Sequence, residues 1–157
     1  SRKGLHQKKS VNITDVISKT ADLICNSKLP KGVVIKKDLG IFPQVNTDSE
    51  RIRQVILNIL KNAVEAVSLS KRKKEILISL KREDQSIVLT IKDTGAGIPK
   101  KNFKRLFEPF FTTKSPGKGT GLGLFVSYGI MKDLGGDVQI KSKAGTGTSV
   151  FLTLPLD

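Results

Sequence analysis

The chain has 157 residues, enough for one domain with a core of its own. Its 38% hydrophobic content, with both signs of charge, is that of a globular domain, and no apolar run approaches the roughly 18 residues of a membrane span. The net charge of +14 raises a nucleic-acid hypothesis, but one tyrosine and no tryptophan leave little for base stacking.

Residues 1–10, "SRKGLHQKKS", lack the apolar stretch and cleavage site of a secretory signal and read as a fraying basic end, leaving 11–157 as the domain. "VNITDVISKTADLICNSKL" places Val16, Ile17, Thr20, Leu23 and Ile24 near helical spacing and reads as a helix ending before Pro30. The single cysteine within it, Cys25, excludes an internal disulfide framework, fits a reducing compartment and is expected as buried filler. "GVVIKKDL" reads as extended. Thr47 with Glu50 then forms a possible capping box for a long helix, whose buried face is Ile52, Val55, Ile56, Ile59, Ala63, Val64 and Val67. Lys71, Arg72, Lys73 and Lys74 fall at the turn that follows, where solvated charge is the expected role. "EILISLKRE" and "SIVLTIKD" alternate as an antiparallel hairpin. A Gly, Pro, Lys and Phe-rich stretch of about 25 residues comes next, long enough to suggest function. "LGLFVSYGIMKDLGG" reads as a helix and "DVQIKSKAGTGTSVFLTLP" as a second hairpin. The pattern predicts an α+β or α/β sandwich with helices on one face of a mixed sheet.

Three segments carry candidate chemistry. In "GTGLGL", Gly119, Gly121 and Gly123 precede a helix; glycine lets backbone N–H groups approach an anion, and a helix N-terminus adds partial positive charge. A Rossmann fingerprint fails because Leu124 stands where its third glycine belongs, and a Walker A loop fails because Gly117-Lys118 is followed by Gly119. No H-R-D catalytic loop of a eukaryotic-type kinase is present. Lys114 and Lys118 are close in sequence for contacts with phosphate, although glycine and lysine also make ordinary linkers. In "DTGAGIP", Asp93 ends a strand before Gly95 and Gly97; a buried carboxylate there would accept the amino protons of adenine, and Asp-Thr-Gly is equally a good turn. Asn58 and Asn62 share one helix face, where an amide oxygen suits Mg²⁺. Arg51, Gln54, Lys61 and Glu65 follow the same stripe, so the helix alone reads rather more readily as a solvent face.

Together these segments resemble the ATP-binding catalytic domain of bacterial sensor histidine kinases, within the superfamily of gyrase, Hsp90, histidine kinase and MutL ATPases. An N box "NILKNAVEA", a first glycine box "DTGAGIP", an F box "FKRLFEPFF", a second glycine box "GTGLGL" and a terminal "GTGTSVFLTLP" follow in the family's order. The resemblance implies the Bergerat ATP-binding fold, a two-layer α/β sandwich, with ATP under a lid at about 99–119. It implies that Asp93 binds the adenine amino group with help from water and Thr148, and that Gly95 and Gly97 line the base. It assigns Mg²⁺ to Asn62, with Asn58 beside it near the phosphates. Gly119, Gly121 and Gly123 would flank the triphosphate; Ile98, Thr120, Leu122 and Leu124 would complete the nucleotide site. Phe107, Phe110 and Phe111 would anchor the lid, and "FFTTK", similar to nitrogen-regulator kinases, would bring Lys114 to the γ-phosphate.

Two positions depart from the pattern. Glu65 stands where many sensor kinases carry a lysine, which shifts phosphate neutralisation to Lys114 or, second, Lys61. The only histidine, His6 in "GLHQKKS", resembles no acceptor motif. The resemblance therefore implies a catalytic domain that phosphorylates a histidine on a separate dimerisation and phosphoacceptor domain of the same protein, feeding a response regulator. It also implies a cytoplasmic, monomeric domain, with the full-length protein soluble or held at the inner membrane, and no nucleic-acid partner. Clamp or chaperone ATPases and anti-sigma serine kinases are the alternatives; the former carry glutamate where Asn58 stands, suited to activating water as an amide is not. A basic nucleic-acid-binding module would explain the charge but none of the glycine boxes.

Overall fold

The computed structural model describes residues 8–112 and 123–156. Among the described residues, seven strands and three α-helices follow in the order β1 (Lys9–Val11), α1 (Ile13–Asn26), β2 (Val34–Asp38), β3 (Val45–Thr47), α2 (Ser49–Ser68), β4 (Glu75–Glu83), β5 (Ser86–Asp93), α3 (Gly123–Asp133), β6 (Asp137–Lys143) and β7 (Gly147–Pro155). The five-stranded sheet has the order β2-β4-β5-β7-β6, with β2 parallel to β4 and the other pairs antiparallel. This is the mixed sheet expected from the two hairpins. β1 and β3 form a separate antiparallel pair that brings Lys9 and Ser10, placed by sequence in the fraying end, opposite Thr47 and Asn46.

One face of the sheet makes the core. Ile76, Ile78 and Leu80 of β4, Ile87, Leu89 and Ile91 of β5, and Val150, Leu152 and Leu154 of β7 alternate with half-buried or exposed neighbours, as a pleated strand with one covered face requires. Against them lie Ile13, Ile17, Ala21 and Ile24 of α1, and Ile52, Val55, Ile56, Ile59, Leu60, Ala63 and Val67 of α2. Ile130 and Met131 of α3 complete the layer. Nearly the whole predicted face of α2 is buried, with Val64 at its half-buried rim.

Several local expectations are corrected. Cys25 is exposed, because it follows Ile24 around the helix and so points off the stripe of Ile17, Ala21 and Ile24. Leu23 is likewise 54% exposed. The N-cap of α2 is Asp48, not Thr47: Asp48 Oδ1 accepts the N–H groups of Glu50 and Arg51 at 3.1 and 3.3 Å. Thr47 ends β3 with its side chain turned inward, and its buried Oγ1 has no hydrogen-bond partner among the described residues. The stretch after β5 contains a 3₁₀ helix, Lys100–Arg105, and buries Leu106. Among the described residues no helix is long and apolar enough to cross a membrane.

Candidate functional site

Asp93 is the last residue of β5, flanked in register by Ile76 of β4 and Thr148 of β7. That central position buries it to 7% exposure. Its Oδ1 accepts the Gly95 N–H at 2.8 Å. Burial raises the carboxyl pKa above its ordinary value, and the backbone N–H groups of Gly95 and Thr148 oppose that rise.

The turn after Asp93 is wedged between two elements. A Cβ on Gly95 would lie 2.7 Å from Ala66 Cβ and 2.8 Å from the Ala66 carbonyl, so only glycine lets the turn rest on α2. Gly97 has φ of +75°, and a Cβ there would meet Lys143 O at 2.1 Å. The turn is latched to the β6–β7 turn by Gly145 N–H to Ala96 O at 2.6 Å, and by Ile98 N–H to Ser142 Oγ at 2.8 Å. Ser142 Oγ also donates to Gly147 O at 2.9 Å and lies 2.7 Å from Thr148 Oγ1. Thr148, Ile98, Gly97 and Asp93 thus share one hydrogen-bonded corner. Ser142, which sequence reasoning missed, is its hub. Arg72 Nη2 adds contacts of 3.4 Å to Thr94 O, Gly95 O and Thr146 O.

α2 joins this corner to the second half of the site. Ala66, under Gly95, lies four residues past Asn62, about 6 Å along the helix axis. The Asn62 amide nitrogen would lie 3.8 Å from a Cβ added at Gly123, the first residue of α3. Asn58 Nδ2 donates to the fully buried Ser127 Oγ at 3.4 Å, and Arg51 Nη2 pairs with Asp133 Oδ2 at 3.0 Å. The two helices therefore run antiparallel, with both asparagines toward α3 rather than on a bare solvent face. An open groove of about 420 Å³ runs along α2 past Arg51, Gln54, Leu57, Asn58 and Lys61.

Phe107 packs on the core and meets Tyr128 of α3, ring centroids 5.0 Å apart. Leu124 is also half-buried against the core. Phe111 lies under the Arg105 guanidinium at 4.5 Å, whereas Phe110 is 73% exposed and does not anchor this segment in the way Phe107 does. Lys114, Gly119, Thr120, Gly121 and Leu122 lie outside the described residues, as does His6. Among the described residues no group of three or more His, Cys, Asp or Glu is placed to hold a metal. The donor set beside α3 is two amides, which fits Mg²⁺ only as an ion that shares its ligands with phosphate and water.

A helical layer on a mixed sheet, a buried strand-end carboxylate beside a glycine turn, and an asparagine-bearing helix facing the start of α3 define a nucleotide-binding α/β sandwich. The pattern of the family described as "Histidine kinase-, DNA gyrase B-, and HSP90-like ATPase" matches residues 47–157, and the chain belongs to that family. It is 35% identical over 147 residues to sporulation kinase E of Bacillus subtilis, covering 92% of this chain and 19% of that protein. It is also 35% identical over 159 residues to the signal transduction histidine-protein kinase AtoS of Escherichia coli, covering 100% of this chain and 25% of that one. The chain thus spans a fifth to a quarter of these relatives. Among solved structures, the mycobacterial sensor histidine kinase MprB superposes with a TM-score of 0.80 at 25% identity, over 94% of this chain and 97% of that one. Full-length ShkA in complex with AMPPNP does so at 0.82 and 26% identity, over 94% of this chain and 31% of that one. The chain is an ATPase domain of the histidine kinase type, and the two-layer fold read from its motifs is the fold observed.

Proposed function

We propose that residues 11–157 bind ATP with Mg²⁺ and donate the γ-phosphoryl group to a histidine on a separate dimerisation and phosphoacceptor domain of the same sensor kinase. The observation that carries this is the convergence of the Asp93–Gly95 turn and the start of α3 on the two ends of one asparagine-bearing stretch of α2. The AMPPNP bound to ShkA, whose structure this chain resembles, supports an adenine nucleotide as the ligand.

In this reading Asp93 accepts an adenine amino proton, Thr148 and Ile98 shape the corner beside it, and Gly95 and Gly97 let the base approach the backbone. Asn62 supplies an oxygen to Mg²⁺ and Asn58 lies near the phosphates. When bound, the ion would spread the charge on the β- and γ-phosphate oxygens. Residues at about 99–119 form the lid, carried on Phe107, with Lys114 as first and Lys61 as second cation for the γ-phosphate. Gly119, Thr120, Gly121, Leu122, Gly123 and Leu124 line the triphosphate. Asn58 is no general base, and the hydrogen bond to Ser127 uses its amide as a donor, so hydrolysis by water is poorly served. An imidazole nitrogen instead attacks the γ-phosphorus as the bond to the β,γ-bridging oxygen breaks, and ADP leaves with the electron pair. The domain's work is to position and to stabilise charge. A response regulator receives the phosphoryl group afterwards. The isolated domain is a cytoplasmic monomer with no nucleic-acid partner, and the whole kinase is soluble or membrane-anchored.

The test is calorimetric titration with ATP and GTP, each with and without Mg²⁺, followed by transfer to a histidine-acceptor domain supplied in trans. ATP binding that metal strengthens, with GTP excluded, is expected. Asn62→Ala should remove only the metal-dependent part; equal losses with and without Mg²⁺ would reject its metal role, and no nucleotide binding by the folded domain would reject the reading itself.

A further inference from the structure

We propose that Arg72, in the link between α2 and β4, is a positioning residue for the base end of the nucleotide site, acting through the peptide that joins Thr94 to Gly95. The inference rests on the adenine reading of Asp93. The Lys71–Lys74 run reads in sequence as solvated charge, but Arg72 crosses to both turns that build the corner. Its Nη2 lies 3.4 Å from Thr94 O, Gly95 O and Thr146 O. Three carbonyl dipoles thus converge on one cationic group, which their negative ends stabilise. Its own backbone is held at the base of the link, where its N–H donates to Ser70 Oγ at 3.1 Å.

The geometry of a trans peptide turns these contacts into a constraint on the site. The carbonyl and N–H of one peptide point in opposite directions. With Thr94 O held toward Arg72, the Gly95 N–H of the same peptide faces away, and there it donates to Asp93 Oδ1 at 2.8 Å. Arg72 and Asp93 therefore grip the two ends of a single peptide. The Thr94 side chain steadies the same point by donating to Lys73 O at 2.6 Å and accepting the Glu75 N–H at 3.0 Å. Arg72 adds what Thr94 lacks, a side-chain tie to Thr146 O in the β6–β7 turn, which leads into Thr148 of β7 and is already joined to this corner by Gly145 N–H to Ala96 O. Without it the Thr94 carbonyl loses one of its holds, and the Gly95 N–H that orients the Asp93 carboxylate is fixed less firmly by the contact with Ala66 and the Thr94 side-chain bonds that remain.

Arg72→Met, which keeps the aliphatic stem, and Arg72→Ala separate this role from others. Each would be titrated with adenosine and with ATP·Mg²⁺, followed by amide NMR shifts that include the Gly95 N–H. Both ligands are expected to weaken by the same factor, about tenfold for the loss of charge-assisted hydrogen bonds, with the Gly95 amide shifted in the free protein. Weakening of ATP alone would mean that the charge acts on phosphate, and wild-type affinity for adenosine in the variants would leave the corner indifferent to Arg72; either result overturns the inference. A wild-type domain that binds neither ligand would overturn the adenine reading on which it stands.

Discussion

Asp93 is pulled two ways: its position at the end of β5 removes it from water, and its proposed task requires it to stay an acceptor. Burial raises its pKa, so above that raised value the folded domain carries an ionised carboxylate that the unfolded chain would hold in water at lower free energy. Below the ordinary carboxylate value of about 3.9 both states are protonated and the penalty vanishes. Asp93→Asn keeps an oxygen for the Gly95 N–H and removes the penalty. The variant is expected to show a higher urea midpoint than wild type near pH 7, with the difference shrinking as pH falls through the raised pKa toward about 4. It should also lose adenine-nucleotide binding, because the amide substitutes a donor for one of the two acceptor oxygens. A lower midpoint at pH 7 would show that the two backbone hydrogen bonds outweigh burial at this residue.

At the scale of elements, the start of α2 separates two readings of the same four letters, "TDSE". If Asp48 is the cap, Asp48→Ala should destabilise by about 0.5–2 kcal/mol, while Thr47→Val, which replaces a buried hydroxyl that has no partner, should be neutral or stabilising. Denaturant midpoints of the two variants decide it; a loss of similar size at Thr47 would restore the capping box there. The error is physical: Thr and Asp are both good caps, and the choice is made by β3, which uses Thr47 as its last inward residue when it pairs with β1. Strands of three residues carry no periodicity that a sequence can display, so β1 and β3 were not legible, whereas α2 and the two hairpins repeat their pattern long enough to be read. The site divides in the same way. Asp93, Gly95 and Gly97 announce themselves as a local cluster, and the asparagines as a helical pair. Ser142 and Arg72 join the same corner only through the register of β6 with β7 and through the α2–β4 link, contacts 44 and 22 or more residues apart in the chain. Cys25 shows the converse: a residue type that favours burial is overruled by its angle on α1.

For the whole molecule, the proposed ligand would touch elements that are far apart in the chain: the β5 end, the β6–β7 turn, α2 and the start of α3. The Asp93 corner rests on α2 through Gly95, and α3 is tied to α2 through Asn58 and Arg51. A nucleotide that bridges these elements binds the folded state and not the unfolded chain, so it must raise the unfolding temperature by mass action. At 100 times its dissociation constant the added stability is about 2.7 kcal/mol. For a domain of 157 residues, at about 2–4 °C per kcal/mol, thermal unfolding should move up by about 5–11 °C. ATP with Mg²⁺ should give the full shift, ATP with a chelator a smaller one, and GTP at the same concentration none. The pattern of failure is informative because the two halves of the site read different parts of the ligand. Equal shifts with ATP and GTP would leave the phosphate end at α3 intact and remove the base reading of Asp93. A shift with ATP that ignores the metal would do the reverse, leaving the Asp93 corner in place and taking Mg²⁺ away from Asn62.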